Sequence, residues 1–169
     1  MKLIPYHSFE IVSGLSASGG VAVLNDNVEP AQWLRFSRDH KVFQGSLTRD
    51  GFVVRRVVHY RNSFLPVIRG TFRSSPSGVS IAITMRPHHF VTAFMCVWFG
   101  GVGIGIVVMA AAFFADASAR HPAMLIPVAM LVFGWALVTG GFWFEVNKSK
   151  PILLDIFKGT IRSEQCHGP

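Results

Sequence analysis

The residues of this chain that could perform acid–base or nucleophilic chemistry are few and widely spaced. His59 and Ser63 come nearest to a nucleophile with its base. A hydroxyl nucleophile needs a base within hydrogen-bond distance and a third group that orients the base. Four residues along an extended strand separate two side chains by about 13 Å, which is too far for that bond. A turn would bring the pair closer, so catalysis stays a minor alternative.

Three histidines flank the first of two long apolar stretches: His88 and His89 precede it, and His121 follows it. A metal site would need these imidazoles to converge with other ligands. Adjacent residues on a helix point about 100° apart, so His88 and His89 cannot easily face one ion. We expect His121 at the far end of the stretch. The pattern favours interfacial histidines, and we predict neither a metal nor another cofactor.

Gly101, Gly103 and Gly105 have the spacing of part of a dinucleotide-binding loop. Such a loop lies between a strand and a helix, where its backbone amides meet the phosphates. These glycines instead lie inside an uncharged stretch of 26 residues, where small residues allow two helices to approach closely. We therefore predict that Gly101 and Gly105 pack helices together, within one chain or between copies. Gly134 and Gly140 are the matching positions on the second stretch.

Arginines before the first apolar stretch give the sharpest binding hypothesis. They are Arg55, Arg56, Arg61, Arg69, Arg73 and Arg86. A basic residue held close to an anionic leaflet contributes about 1 kcal/mol of attraction. These side chains would therefore bind lipid headgroups or a partner protein. A solvated basic surface that only sets membrane topology is an equally open interpretation. Nucleic acid is not an expected partner, because the segment has no basic helix and no clear aromatic platform.

Residues 90–115 and residues 123–144 contain no charged side chain. As helices they would be about 39 Å and 33 Å long, against a hydrocarbon core of about 30 Å. The two stretches predict a transmembrane helical hairpin within residues 88–145. Neither stretch contains an ionisable acid, base or histidine, which argues against a proton relay, an ion path or a transporter.

The charge distribution predicts the orientation of this hairpin. Of the net charge of +7, residues 1–89 carry +6, from 11 basic and 5 acidic side chains. The turn between the stretches has one basic residue, Arg120, whereas Lys148, Lys150 and Lys158 follow the second stretch. Basic flanks stay on the cytoplasmic side, so both termini are expected in the cytoplasm of a bacterium, with the hairpin in its inner membrane. Residues 1–30 have no apolar core typical of a cleaved signal.

The segment before the hairpin has the composition of a β-rich domain, residues 1–87. Residues 79–85 alternate between apolar and small or polar side chains, and residues 67–73 alternate likewise. Further strands are predicted at residues 42–47 and 52–60, with earlier ones at 33–36 and 21–24. Short turns between them favour an antiparallel meander. Residues 1–20 are expected to be loosely ordered.

The tail, residues 146–169, is predicted to contain a short amphipathic helix over residues 149–158. Ser149 is its possible cap, Pro151 lies in its first turn, and Gly159 would end it. So short a helix is marginal alone and should dock on the β-rich domain or on the membrane. The expected fold is therefore an α+β membrane protein with a helical hairpin, a small antiparallel domain and this helix.

One local motif carries a resemblance. Phe43-x-Gly45 and Phe52 precede Tyr60-Arg-Asn-Ser-Phe-Leu-Pro66-x-x-x-Gly70, and an alternating strand and a two-span hairpin follow. Over most of residues 40–160 this arrangement resembles small uncharacterised bacterial membrane proteins in which a β-rich cytoplasmic portion precedes a helical hairpin. The resemblance implies no activity and no functional residues. The layout is also similar to membrane-tethered domains of the bacterial pleckstrin-homology type, in which a C-terminal helix closes a sheet.

These patterns favour a non-enzymatic inner-membrane protein that presents a basic domain at the bilayer surface as an interaction or regulatory module. One alternative is an immunity or stress-protection protein that binds a toxic partner at the membrane. A membrane-embedded enzyme is the second alternative. The expected partners are membrane lipids with anionic headgroups, a second copy of the chain through the hairpin, or an unidentified protein.

Overall fold

The computed structural model describes residues 5–30, 41–58, 64–76, 78–115 and 122–165. These residues have the mixed helix and sheet content of the α+β class. In chain order the elements are β1 (His7–Ser13), α1 (Ala17–Asn27), β2 (Val28–Glu29), β3 (Phe43–Leu47), β4 (Gly51–Arg56), β5 (Val67–Ser75), β6 (Gly78–Arg86), α2 (His89–Ala115), a 3-10 turn (Pro122–Leu125), α3 (Ile126–Phe157) and β7 (Thr160–Gln165). The strands predicted at residues 33–36 and 59–60 lie outside the described residues.

Within these ranges the strands form one sheet in the order β2-β3-β4-β5-β6-β1-β7. The prediction of a purely antiparallel meander is wrong, because β2 lies parallel to β3. The central hairpin of β5 and β6 is confirmed, with Val67 opposite Arg86 and Ser75 opposite Gly78. Residues that alternate along these strands point inward, as predicted. The inward set is Ile68, Phe72, Val79, Ile81, Ile83 and Met85.

The prediction for residues 5–24 is wrong. His7–Ser13 is a strand that pairs with β6 on one side and β7 on the other. Its buried and partly exposed residues alternate, since Phe9 and Ile11 face the core. Residues 21–24 lie in α1, where Leu24 is buried and the Ser16 hydroxyl accepts a hydrogen bond from the Gly19 N–H at 3.0 Å. This N-cap starts a helix at Ala17 that runs through residues 21–24, for which the sequence predicts a strand.

The predicted separation between a second span and a tail helix is also wrong. α3 is continuous from Ile126 to Phe157 and is about 48 Å long. Its first part is apolar, and its second part lies across the inner face of the sheet with Val146, Leu153 and Phe157 buried. No glycine or proline interrupts residues 142–150, and buried positions recur at helical spacing along this stretch. The helix therefore continues from the hairpin into the core of the domain.

The helix ends where the sequence predicted. Lys158 adopts the left-handed conformation with φ 45°, and the Gly159 N–H donates to the Leu154 carbonyl at 3.3 Å. The Phe157 ring then packs at the centre of the core, with its centroid 6.0 Å from that of Phe52 and 6.1 Å from that of Phe72. The chain turns back at this point and adds β7 to the sheet edge.

α2 and α3 are both long and apolar enough to cross a membrane. α2 runs for 27 residues, or about 40 Å, which matches the predicted stretch within one residue. No residue of its most apolar 18-residue window is buried. Phe90 is 74% exposed and Phe114 is 83% exposed, so the rest of the protein covers little of the surface of this helix.

Candidate functional site

The outer face of the sheet, opposite α3, carries a group of arginines. Arg55 on β4, Arg69 on β5 and Arg86 on β6 each follow or precede a buried residue, and strand pleating therefore directs them to the outer face. The strand register brings them together at one end of the sheet. Val67 lies opposite Arg86, and Arg69 lies between Val53 and Thr84 on the neighbouring strands.

These arginines line a cavity of about 160 Å³ at the point where β6 ends and α2 begins. We call it the cationic pocket. Its lining residues are Val53, Arg55, Val67, Arg69, Thr84, Arg86, Pro87, His88 and His89. None of the lining residues is acidic. The side chains of three arginines line one concave surface, and no carboxylate lies among the described residues of its walls, so the pocket favours an anion.

An aromatic contact holds the Arg86 side chain, and a hydrogen bond fixes the backbone of Arg69. The Arg86 guanidinium lies over the Tyr6 ring, 4.9 Å from its centroid, in a cation–π contact. The Arg69 carbonyl accepts a bond from the Thr84 hydroxyl at 3.4 Å, across the β5–β6 pair. Guanidinium groups offer a planar set of donors that matches phosphate and carboxylate oxygens. The pocket is therefore suited to an oxyanion.

His88 adds a neutral hydrogen-bonding group to the pocket. Burial lowers the pKa of His88 below its ordinary value of 6.5, and the charges of Arg55 and His89 lower this pKa further. The Nδ1 atom of His88 accepts a bond from the Phe90 N–H at 3.2 Å, so the proton of the neutral ring lies on Nε2. This contact also satisfies one of the free amides at the start of α2.

The start of α2 itself favours an anion. Its first residue is His89, whose ring centroid lies 6.2 Å from that of His88. The N-terminal end of a helix carries a partial positive charge, and α2 is long. The arginines and this helix end therefore act in the same direction. The sequence placed both histidines at an interface but did not connect them with the arginines.

Arg56 has a different role from the one predicted. The adjacent Arg55 faces outward, so pleating directs Arg56 to the inner face, where it pairs with Glu145 of α3 at 2.8 Å. Arg56 is 14% exposed and Glu145 is 0% exposed. This buried pair joins β4 to α3 just below the apolar part of that helix. Arg56 points to the inner face and is not among the residues that line the cationic pocket.

The other predicted site residues are distributed as follows. Arg73 lies on the same strand and face as Arg69, but four residues, or about 13 Å, further along. It does not line the cationic pocket. Arg61, His59 and Ser63 lie outside the described residues, as does His121. The catalytic hypothesis for the His59–Ser63 pair therefore has no geometry to test it.

One of the four predicted packing glycines lies against the other helix of the hairpin. A Cβ at Gly134 would be 3.1 Å from Trp98 Nε1 and 3.5 Å from Phe99. Among the described residues, nothing lies within 4 Å of such an atom at Gly101, Gly105 or Gly140. The hairpin therefore does not use these three glycines for its own packing. Packing between copies through them stays a prediction.

Tyr6 and Glu145 are the site residues that sequence reasoning missed. Glu145 is the first charged residue after the second apolar stretch, and a lone acid at that point is a usable signal for a buried partner. Tyr6 gave no such signal, because its position beside Arg86 depends on β1 pairing with β6.

No protein-family model matches this chain, and neither a curated protein nor a solved structure matches it. What the site can bind is therefore inferred from its own residues.

Proposed function

We propose that this chain is a membrane-anchored, non-enzymatic module that binds the anionic headgroups of lipids with the cationic pocket. The observation that carries the proposal is the position of the pocket. Its histidines lie at the first turn of α2, at the boundary between the sheet domain and the first apolar helix. A pocket of arginines at that level would face headgroups, not bulk solvent.

Membrane insertion of both long helices is part of this proposal. α2 leaves large apolar side chains uncovered along its length, including Val97, Ile104 and Phe114. Contiguous apolar surface of this extent is costly in water and is typical of a helix in lipid. The basic flanks favour cytoplasmic termini and the inner membrane of a bacterium. The cationic pocket would then lie on the leaflet that carries anionic lipid.

The construction of the domain supports a fixed distance between pocket and bilayer. β6 runs into α2 with only Pro87 and His88 between them. α3 enters the domain core without a break and is joined to β4 by the Arg56–Glu145 pair. Two covalent connections and one buried ion pair therefore hold the sheet close to the membrane. Interactions between exposed charges decay over about 8–10 Å at physiological salt, so this closeness matters.

The test compares two arginines of one strand. The full-length chain is purified in a neutral detergent, freed of lipid and mixed with equal amounts of phosphatidylglycerol and phosphatidylcholine. Native mass spectrometry then counts the bound lipids. We expect preferential binding of phosphatidylglycerol, which Arg69→Gln weakens about fivefold, the equivalent of about 1 kcal/mol.

Arg73→Gln is the matched control, because Arg73 is exposed on the same strand and face but lies outside the cationic pocket. It should leave the preference unchanged. Equal binding of the two lipids by the unmodified chain would refute the proposal. An equal loss in both variants would mean that general surface charge, and not the pocket, attracts the lipid.

A further inference from the structure

A second cavity lies directly beside the cationic pocket, between the two long helices. Its volume is about 200 Å³, and it opens on the hairpin at the level of the first turns of α2. Val91, Met95 and Phe99 line it from α2, and Val138 lines it from α3. We call it the apolar slot. It exposes no polar surface.

Pro87 lines both the apolar slot and the cationic pocket, so the two cavities adjoin. The N-terminal segment meets them at the same place, since Pro5 lines the slot and Tyr6 stacks on Arg86. A group that binds oxyanions therefore lies next to a groove that excludes them. This is the arrangement of a site for an amphiphile with an anionic head.

The slot extends over most of the depth of one leaflet of the hydrocarbon core. Val91 and Phe99 are eight residues apart on α2, which is about 12 Å along the helix axis. Half of the hydrocarbon core of a bilayer is about 15 Å thick. A groove that starts at the pocket and runs about 12 Å toward the bilayer centre would follow the chain of a lipid of the same leaflet.

We infer that the apolar slot binds one acyl chain of the phospholipid whose phosphate lies in the cationic pocket. The inference rests on the proposed function and defines its ligand as an intact anionic phospholipid of the inner leaflet, not a free phosphate. Water is a poor occupant because the described residues that line the slot present no polar surface to it, and an unfilled groove would lose dispersion contacts along its walls.

The experiment locates the acyl chain of the bound lipid directly. Phosphatidylglycerol with a diazirine midway along one acyl chain is added to the full-length protein in nanodiscs of phosphatidylcholine, irradiated, and the labelled peptides are mapped by mass spectrometry. We expect labelling of residues 91–99 and 135–139. The same diazirine on phosphatidylcholine should label these segments much less, and Arg69→Gln should reduce the phosphatidylglycerol signal to that level.

Cys96→Trp fills the slot, and Val97→Trp is its control. Cys96 lines the slot and is exposed, while Val97 is exposed but does not line it. Both positions face away from the domain core, so both variants should fold. Cys96→Trp should remove the labelling of the slot, and Val97→Trp should leave it unchanged. Glycerol phosphate, which has the head without chains, should compete poorly.

Three results would overturn the inference. Equal labelling by both lipids would show that any acyl chain enters the slot independently of the pocket. Unchanged labelling of the slot in Cys96→Trp would mean that the acyl chain binds elsewhere. Efficient oxidative linkage of two Cys96 thiols in a Cys166→Ser background would assign the slot to a second copy of the chain. In all three cases the headgroup preference measured with Arg69→Gln and Arg73→Gln would stand or fall separately.

Discussion

Glu145→Ala removes the carboxylate with which Arg56 forms an ion pair of 2.8 Å between α3 and β4. Loss of one member of a buried pair costs about 3–5 kcal/mol, because the other charge keeps its desolvation penalty. The Arg56 side chain is still 14% exposed, which reduces that penalty, so we expect a loss of about 3 kcal/mol. For a chain of this size the equivalent fall in melting temperature is about 6–12 °C.

The measurement is thermal unfolding of the full-length chain in detergent, followed by near-ultraviolet circular dichroism. Amide exchange of β4 should also become faster, because α3 would hold that strand less tightly. Asp155→Ala is the control, since Asp155 is an exposed acid on the same helix. It should change the stability by less than about 0.5 kcal/mol.

A double variant separates the charge effect from a general loss of packing. Replacement of both charges by apolar side chains, Arg56→Met with Glu145→Leu, should recover most of the lost stability, because neither charge is then buried. If Glu145→Ala unfolds at the temperature of Asp155→Ala, the pair does not hold the helix to the sheet. If the double variant is as unstable as the single one, packing and not charge explains the loss.

Two further predictions concern the sheet and the cationic pocket. Gly70→Ala should destabilise the chain by about 1–3 kcal/mol in thermal unfolding, because its Cβ would be 2.1 Å from the Phe52 ring. Phe52→Leu in the same background should recover part of the loss. An unchanged melting temperature in Gly70→Ala would contradict this packing. Burial, Arg55 and His89 lower the pKa of His88, and an anion in the pocket would raise this pKa again, so phosphatidylglycerol should bind more tightly as the pH falls below neutrality toward the lowered pKa. Without lipid, the same lowered pKa predicts that stability decreases as the pH falls from the unfolded-chain value of 6.5 toward the lowered pKa, and His88→Asn should remove the His88 part of both dependences. A flat binding profile in the unmodified chain would exclude this role.

The parts of the fold that follow from local pattern could be predicted. Residues 79–85 alternate cleanly, and the turn before them fixes the partner strand, so the β5–β6 hairpin needs only nearby sequence. α2 is defined by the length of its uncharged stretch. β1 also alternates, but the glycine and serine residues that follow it favoured disorder. Its partners, β6 and β7, lie about 70 and 150 residues away, and no local signal identifies a strand pairing at that separation.

The continuity of α3 could not be predicted for a related reason. Pro151 is typical of a first helical turn, which suggested a new helix after the second apolar stretch. Within a helix, proline forfeits one backbone hydrogen bond and strains the preceding turn. Burial of Val146, Leu153 and Phe157 against the sheet offsets that cost, and this burial is a property of the assembled domain.

The candidate site could likewise be predicted only in part. Arg69 and Arg86 converge because the β5–β6 register places them at one end of one face, and that register follows from a recognisable hairpin. Arg55 joins them only through the pairing of β4 with β5, which is set by the whole sheet. The ion-pair partner of Arg56, by contrast, is an acid 89 residues away. Sequence could therefore nominate the arginines but could not separate the structural one from those in the pocket.

α3 contributes both to the apolar slot and to the ion pair that holds β4. Val138 lines the apolar slot, and Glu145, two turns further along the same helix, holds β4 through Arg56. The next residue of β4 before Arg56 is Arg55, which lines the cationic pocket on the opposite face. A phospholipid in both cavities would therefore contact α3 at Val138 and β4 at Arg55. The Arg56–Glu145 ion pair joins these two elements between the two contacts. A ligand that binds only the folded chain stabilises it, so saturating lipid should offset part of the loss in Glu145→Ala. At a lipid concentration of about 100 times its Kd, that gain would be about 2.7 kcal/mol, comparable with the loss from the ion pair.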